Sequence, residues 1–236
     1  MEQDRTIAAV QPKILAFQQK THFEYAGAAG GFVDRYGFPF CRGRIFNEVE
    51  EDRGQYNQTT DIFWGSGACL FVRAKLYHEL GGFDADFWAH MEEIDLCWRL
   101  KNKGHRIVFT PDSTVYHLGG GSLPYNSPRK LYLNFRNNLW LLYKNLPSGK
   151  LFSTLFIRMA LDGIAAIKLL AEFNLNGIGS VFKAHVHFYA SLPELHRKRK
   201  QTRPPKKTKL PEEMLRKSIV FQFYIRKKKL YSELGN

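Results

Sequence analysis

Between Asp61 and Tyr116 two kinds of apolar spacing alternate. Ala68-Cys69-Leu70-Phe71-Val72 is an unbroken apolar run of the kind a short buried strand needs, and Ala74 to Leu80 then fits a helix stopped by Gly81-Gly82. A second helix is predicted from about Met91 to Lys103. It gathers Ile94, Cys97, Trp98 and Leu100 near one side, sets Asp95 four residues before Arg99, and ends at Gly104. Arg106 to Thr110 and Thr114 to Tyr116 are strand-like, with Pro111-Asp112-Ser113 predicted as a turn between them. Strand followed by helix is the pattern of an α/β fold.

The flanks are less patterned. Residues 1–60 carry short apolar pieces among glycines and aromatics, then a polar stretch from Asn47 to Thr60 that reads as a loop. Downstream, Ser127-Pro128 is a cap with a first-position proline. Leu131, Phe135, Leu139, Leu142 and Leu146 then form one apolar helical face, closed by Pro147. The expected organisation is a compact domain over residues 1–147, an amphipathic helical region over 148–195 and a basic tail over 196–236. Within the tail, His196 to Lys209 has too little apolar surface to fold alone.

The net charge of +13 is concentrated in that tail, where residues 195–236 hold 14 Lys and Arg against 3 Asp and Glu. A basic segment of this kind points to an anionic surface, lipid head groups or nucleic acid, rather than to a substrate pocket. Nucleic acid is the weaker expectation, since the charges lack interleaved aromatics on a folded platform. Leu151 to Phe173 comes nearest to a membrane span, but Arg158, Asp162, Lys168 and Glu172 interrupt it. It is expected to lie on something apolar rather than to cross a bilayer. With Val181 to Leu192 and the basic tail, it would make a peripheral contact on the cytoplasmic face of the cell membrane, each surface cation contributing roughly 1 kcal/mol. A merely solvated tail is the alternative. Cys41, Cys69 and Cys97 have neither zinc nor disulfide spacing, which favours a reducing compartment. The start, Met1-Glu2-Gln3-Asp4-Arg5, lacks a secretory apolar run and leads at once into strand-like residues, as though the chain began within a domain.

The densest chemistry lies in Phe87-Trp88-Ala89-His90-Met91-Glu92-Glu93-Ile94-Asp95, where three carboxylates crowd the place at which a loop enters a helix. Acids in a first turn also serve simply to complement the helix dipole. His117 follows a strand and precedes Gly119-Gly120-Gly121, a place where a side chain and a flexible loop could meet a phosphate-bearing ligand. Trp64 could stack on the flat face of a ligand or be a core tryptophan. Arg129, Lys130 or Arg136 could assist an anionic ligand or belong to a solvated face.

Four segments in order, Asp61-Ile62-Phe63-Trp64-Gly65-Ser66-Gly67-Ala68-Cys69, Gly81-Gly82-Phe83-Asp84, Glu92-Glu93-Ile94-Asp95-Leu96-Cys97-Trp98-Arg99 and Val115-Tyr116-His117, resemble family 2 glycosyltransferases, particularly rhamnosyltransferase-like members, across residues 7–146. The resemblance implies the acceptor-side portion of a GT-A domain, Rossmann-like with a mixed sheet. It implies Glu93 as the general base, with Glu92 or Asp95 able to share the role because the family usually has aspartate there. It implies His117 as a ligand of Mg2+ or Mn2+ on the donor diphosphate, and Trp64, Gly65, Ser66, Gly67 and Ala68, with Arg136, as the sugar-binding set. The implied reaction is a single inverting displacement from a nucleotide-sugar donor to a saccharide or lipid-linked glycan.

The family's aspartate-rich metal motif and glycine-rich nucleotide loop have no counterpart upstream, so the chain is expected to lack the donor-binding half. Asp84-Ala85-Asp86 has the DxD spelling but stands in the acceptor-side segment, where it is expected not to bind metal. A non-catalytic membrane- or polyanion-binding remnant of such an enzyme is the alternative function.

Overall fold

A computed structural model describes residues 1–119, 127–202 and 210–235. Gly120, Gly121 and the basic residues from Arg203 to Lys209 therefore lie outside the described residues. The chain divides into two compact units. The first takes in Met1–Phe83, Leu96–Gly119 and the segment from Leu210; the second takes in Asp84–Asp95 and the stretch ending at Lys209.

The first unit is built on two sheets. In one, β1 (Ile7–Ala16) pairs in parallel with β8 (Arg106–His117) and antiparallel with the short β7 (Phe71–Val72), while β6 (Thr60–Asp61) closes the far side of β8. Ala8, Ala9, Ile14 and Leu15 of β1 are buried together with Ile107, Val108 and Phe109 of β8, as expected of central strands covered on both faces. Two polar side chains interrupt this core, and both are satisfied. Gln11 donates from Nε2 to the Gly27 carbonyl at 3.1 Å and accepts from the Ser66 amide at 2.8 Å, and Lys13 is paired to Asp52 at 2.6 Å.

The sequence expectation differs from the structure at two places in this sheet. The predicted turn at Pro111-Asp112-Ser113 is a bulge inside one continuous β8: Pro12 faces Thr110 and the next residue, Lys13, faces Thr114. The partner strand runs straight past it, so a proline and two polar residues that would otherwise end a strand are looped out of register. The run Ala68 to Val72 is not a buried strand; only Phe71 and Val72 pair, and Phe71 is 63% exposed.

The second sheet orders β5 (Glu48–Val49), β4 (Arg44–Ile45), β3 (Pro39–Cys41), β2 (Gly31–Asp34) and β9 (Met214–Leu215). β9 joins β2 in parallel, the Ile219 amide donates to Asp34 at 2.9 Å, and the Tyr231 ring lies 5.3 Å from Phe32. Residues from Leu210 onward are thus folded onto the first unit rather than detached. Their aromatics, Phe223 and Tyr224 against Phe46 and Tyr231 against Phe32, supply the apolar surface that an average over a lysine-rich segment conceals. All three cysteines are free thiols.

The helix α1 (Ala74–Glu79) ends as expected at Gly81 and Gly82, both left-handed, with φ of 74° and 69°. The boundary between the units falls within α2 (Glu92–Asn102), where Asp95 belongs to the second unit and Leu96 to the first. The apolar residues predicted for α2 are buried, with Trp98 edge-on to Phe63 at 5.2 Å. Arg99 of this helix donates to the Leu80 and Gly82 carbonyls, each at 2.8 Å, which fixes the exit from α1.

The second unit is helical: α3 (Pro128–Asn145), α4 (Ser148–Ala171), α5 (Leu175–Ala190) and α6 (Leu192–Thr202). Ser127 caps α3 by accepting from the Lys130 amide, and Pro128 occupies the first position, as the sequence suggested. Burial of Leu139, Leu141 and Leu142 contributes about 1.5–3 kcal/mol per side chain to this packing. The predicted linker from His196 is helical as far as Thr202. Arg199 is buried, and its guanidinium satisfies the Tyr143 carbonyl at the end of α3, a group the helix itself leaves without a donor. Among the described residues no helix is long and apolar enough to cross a membrane.

Candidate active site

The loop entering α2 is shaped by backbone geometry that few side chains favour. Asp84 accepts from the Asp86 amide at 3.2 Å and starts a 3-10 turn over Ala85–Phe87; Trp88, His90 and Met91 then take φ of 62°, 67° and 75°. Three left-handed non-glycine residues within four positions cost of order 1 kcal/mol or more each, so surrounding contacts must hold them. Asn137 of α3 supplies the main ones. It is fully buried, and its amide nitrogen donates to the carbonyls of Phe87 at 2.9 Å, Ala89 at 2.8 Å and His90 at 2.8 Å. Arg136 reinforces the same loop, donating to the Asp86 carbonyl at 3.0 Å and the Phe87 carbonyl at 3.2 Å, and to Asn137 Oδ1 at 2.9 Å. Its guanidinium, expected to meet substrate, is engaged in holding the loop.

This loop delivers Glu92 and Glu93 to the first turn of α2. Both are half-buried, and one carboxylate oxygen of each, Oε2, is enclosed without a hydrogen-bond partner among the described residues; the same is true of His90 Nε2. Burial, with the neighbouring Glu92 charge adding to it, pushes the Glu93 carboxyl up to about 8. Burial also raises Glu92, and burial with the nearby Lys130 charge lowers His90. Enclosed polar atoms with no protein partner, on groups whose proton affinities are displaced, mark a place where a ligand could supply the missing bonds.

Asp95, one turn further on, is differently placed. It is fully buried, paired to Lys144 at 2.9 Å and hydrogen-bonded by Asn145 at 2.8 Å. Its charge is committed to anchoring α2 on α3. The DxD spelling is likewise absorbed in ion pairs: Lys144 meets Asp84 at 2.6 Å, and Lys198 of α6 bridges Asp84 and Asp86. Burial alone would raise the Asp84 carboxyl, but the two ammonium groups outweigh it and hold it down at about 2. Trp88, which the sequence did not single out, presents a 58% exposed ring with the Arg129 guanidinium 4.1 Å from its centroid.

The remaining expected residues belong to the first unit. Trp64 is buried, its Nε1 donating to the Phe32 carbonyl at 2.9 Å and its ring lying against Gly31, where an added Cβ would sit 2.1 Å from the indole. This is the core alternative rather than a free stacking face. Gly65 and Ser66 are also buried, while Gly67 is exposed and Ala68 half-buried, so a ligand would reach this segment at its last two residues. His117 ends β8 with Nδ1 3.5 Å from the buried Glu24 carboxylate and about a third of its side chain exposed. That Nδ1 is enclosed and has no hydrogen-bond partner among the described residues, so a ligand could supply one. Among the described residues no three His, Cys, Asp or Glu side chains gather as a ligand set.

No family model matches the chain. Among characterised proteins, it is 41% identical over 56 residues to an N-acetylglucosaminyl-diphospho-decaprenol L-rhamnosyltransferase of Mycobacterium tuberculosis, covering 24% of this chain and 18% of the relative. It is 29% identical over 111 residues to the O-antigen biosynthesis protein RfbC of Myxococcus xanthus (47% of this chain, 8% of the relative), and 28% identical over 71 residues to the rhamnosyltransferase WbbL of Escherichia coli (30% and 27%). The matches span less than a third of each relative's length. These similarities support a glycosyltransferase relationship for the chain at the general level.

Proposed function

We propose that the chain is the acceptor-side portion of an inverting glycosyltransferase that moves a sugar, a rhamnosyl-type hexose by analogy with the relatives' names, from a nucleotide-sugar donor to a lipid-linked saccharide diphosphate. The observation that carries this reading is the enclosed Glu93 carboxyl, one oxygen of which has no hydrogen-bond partner among the described residues, beside Glu92 at the mouth of α2. In its ionised form Glu93 takes the proton of the acceptor hydroxyl while that oxygen bonds to the anomeric carbon. The bond from that carbon to the nucleoside diphosphate breaks, and its electron pair leaves with the diphosphate. A single displacement inverts the anomeric centre, and a base near 8 becomes more available as pH rises through that value. Asp95, through Lys144 and Asn145, and Asn137, through the loop carbonyls, hold the glutamates in place. Mg2+ or Mn2+ would take His117 as one ligand and neutralise charge on the departing diphosphate.

The test is transfer from labelled nucleotide sugars, dTDP- and UDP-linked, to N-acetylglucosaminyl-diphospho-polyprenol, read as labelled glycolipid. Product from the wild-type chain should fall at least about a hundredfold in Glu93→Gln while acceptor binding is retained. Undiminished transfer by that variant would sink the assignment, as would a wild-type chain that neither transfers nor binds the acceptor.

A further inference from the structure

The helix α4 is turned inside out relative to a helix that faces water. Its buried residues are Thr154, Arg158 and Asp162, spaced four apart on one stripe. That polar stripe is internally satisfied: Arg158 pairs with Asp162 at 2.7 Å and donates to Asn138 of α3, and His185 of α5 meets Asp162 at 3.1 Å. The outward stripe is apolar, with Phe152 84%, Phe156 67%, Ile167 68% and Leu170 56% exposed. At 3.6 residues per turn these four fall within an arc of roughly 60°, nearly opposite the buried polar stripe. α5 repeats the outward half of the pattern: Leu175, Phe182, Val186 and Tyr189 are exposed along one side, while Val181, Ala184 and Phe188 are buried on the other. Phe173, between the two helices, is 90% exposed.

A soluble helix places its apolar stripe inward and its ions outward. α4 does the reverse, and the exposed cations of α4 and α5 are Lys150, Lys168 and Lys183. Residues 148–202 carry 8 Lys and Arg against 3 Asp and Glu, and each of those acids is paired within the segment, Asp162 with Arg158, Glu172 with Lys168 and Glu194 with Arg197, which leaves the segment net cationic. An aromatic and aliphatic face on a net cationic segment matches acyl chains below anionic head groups. No described helix is suited to span a bilayer.

We propose that α4 and α5 are a membrane-docking face that lies in the plane of an anionic bilayer, with Phe152, Phe156, Ile167, Phe173 and Phe182 entering the acyl boundary. This goes beyond the catalytic reading and stands on helix polarity alone, so either can fail without the other. It sharpens the sequence expectation by assigning lipid contact to one stripe of each helix and internal pairing to Arg158 and Asp162, the charges that interrupt the apolar run.

The test is sedimentation of the whole chain with vesicles of pure phosphatidylcholine and with vesicles containing phosphatidylglycerol, alongside gel filtration without lipid. The variant Phe156→Ser/Ile167→Ser/Phe182→Ser changes only exposed side chains, and its far-ultraviolet circular dichroism and denaturation midpoint report whether the fold is kept. A monomeric wild type should bind the anionic vesicles, and the folded variant should bind at least about tenfold more weakly. Equal binding by the variant, or no wild-type binding to either vesicle, overturns the proposal. So does a wild-type dimer that the variant converts to monomer, which would make a second copy of the chain the occupant. A variant that loses its fold is replaced by Phe152→Ser/Phe173→Ser, judged by the same outcomes.

Discussion

Replacing Glu93 by glutamine should change how stability depends on pH, by an amount that follows from the enclosure of its carboxyl. Burial, reinforced by Glu92, lifts this group from its ordinary value of 4.5 to about 8. The folded protein therefore holds a proton that the unfolded chain releases. The resulting stabilisation is present below the ordinary value and is lost as pH rises through about 8. At about 1.4 kcal/mol per unit the ceiling is about 5 kcal/mol, and solvent reaching the half-buried pair brings the expected range to about 2–5 kcal/mol. Glutamine is neutral throughout and fills nearly the same volume. Urea denaturation of wild type and Glu93→Gln at pH 5, 7 and 9 isolates the contribution by difference: similar stabilities at pH 5, and a variant more stable by about 2–5 kcal/mol at pH 9. Glu92→Gln should lower the Glu93 value and shrink the same difference. Parallel pH profiles for wild type and Glu93→Gln would show that the carboxyl is freely solvated, and the case for an enclosed base would fail with it.

Asn137→Ala should loosen the left-handed loop, lowering stability by about 1–3 kcal/mol and accelerating amide exchange between Asp86 and Met91; unchanged exchange there would mean that the loop holds itself. Asn137→Asp, which sets a carboxylate against three carbonyls, should be worse than alanine. Lys144→Ala removes the ammonium shared by Asp84 and Asp95, leaving Asp84 its Lys198 partner and Asp95 its Asn145 hydrogen bond, and should cost about 1.5–3 kcal/mol at neutral pH. The stabilisation that depresses Asp84 is present above 3.8 and lost as pH falls through about 2, so the Lys144→Ala penalty, read from denaturation midpoints, should shrink across that window. A penalty below about 1 kcal/mol, or one insensitive to acid, would contradict the pairing.

The parts of the fold legible in the sequence were those set by local spacing. The glycine stop after α1, the span of α2 and the Ser127-Pro128 start of α3 needed only capping chemistry and helical periodicity. The bulge in β8 was hidden because Pro111 reads locally as a breaker, and only a partner strand could carry the chain past it. Trp64 and Asp95 had the composition of site residues, and their burial depends on Gly31, Lys144 and Asn145, each distant in sequence. Asn137 was readable in principle: a pair of asparagines interrupting a leucine face asks where buried amides find partners. What Asn137 holds lies some fifty residues earlier, which no periodicity encodes.

The parallel pairing of β2 with β9 joins Val33 to Met214, closing a span of roughly 180 residues with a two-residue strand. During synthesis, the sheet of β2 to β5 emerges long before the segment that covers its edge. Until Met214 and Leu215 arrive, the backbone of Gly31–Asp34 has its outer ladder open, with Phe32 awaiting the ring of Tyr231. A nascent chain in that state offers an unpaired strand beside aromatic surface, the combination chaperones recognise and aggregates exploit. The segment from Leu210 thus acts as a latch on the sheet of β2 to β5, and removing it would threaten solubility before it touched any chemistry.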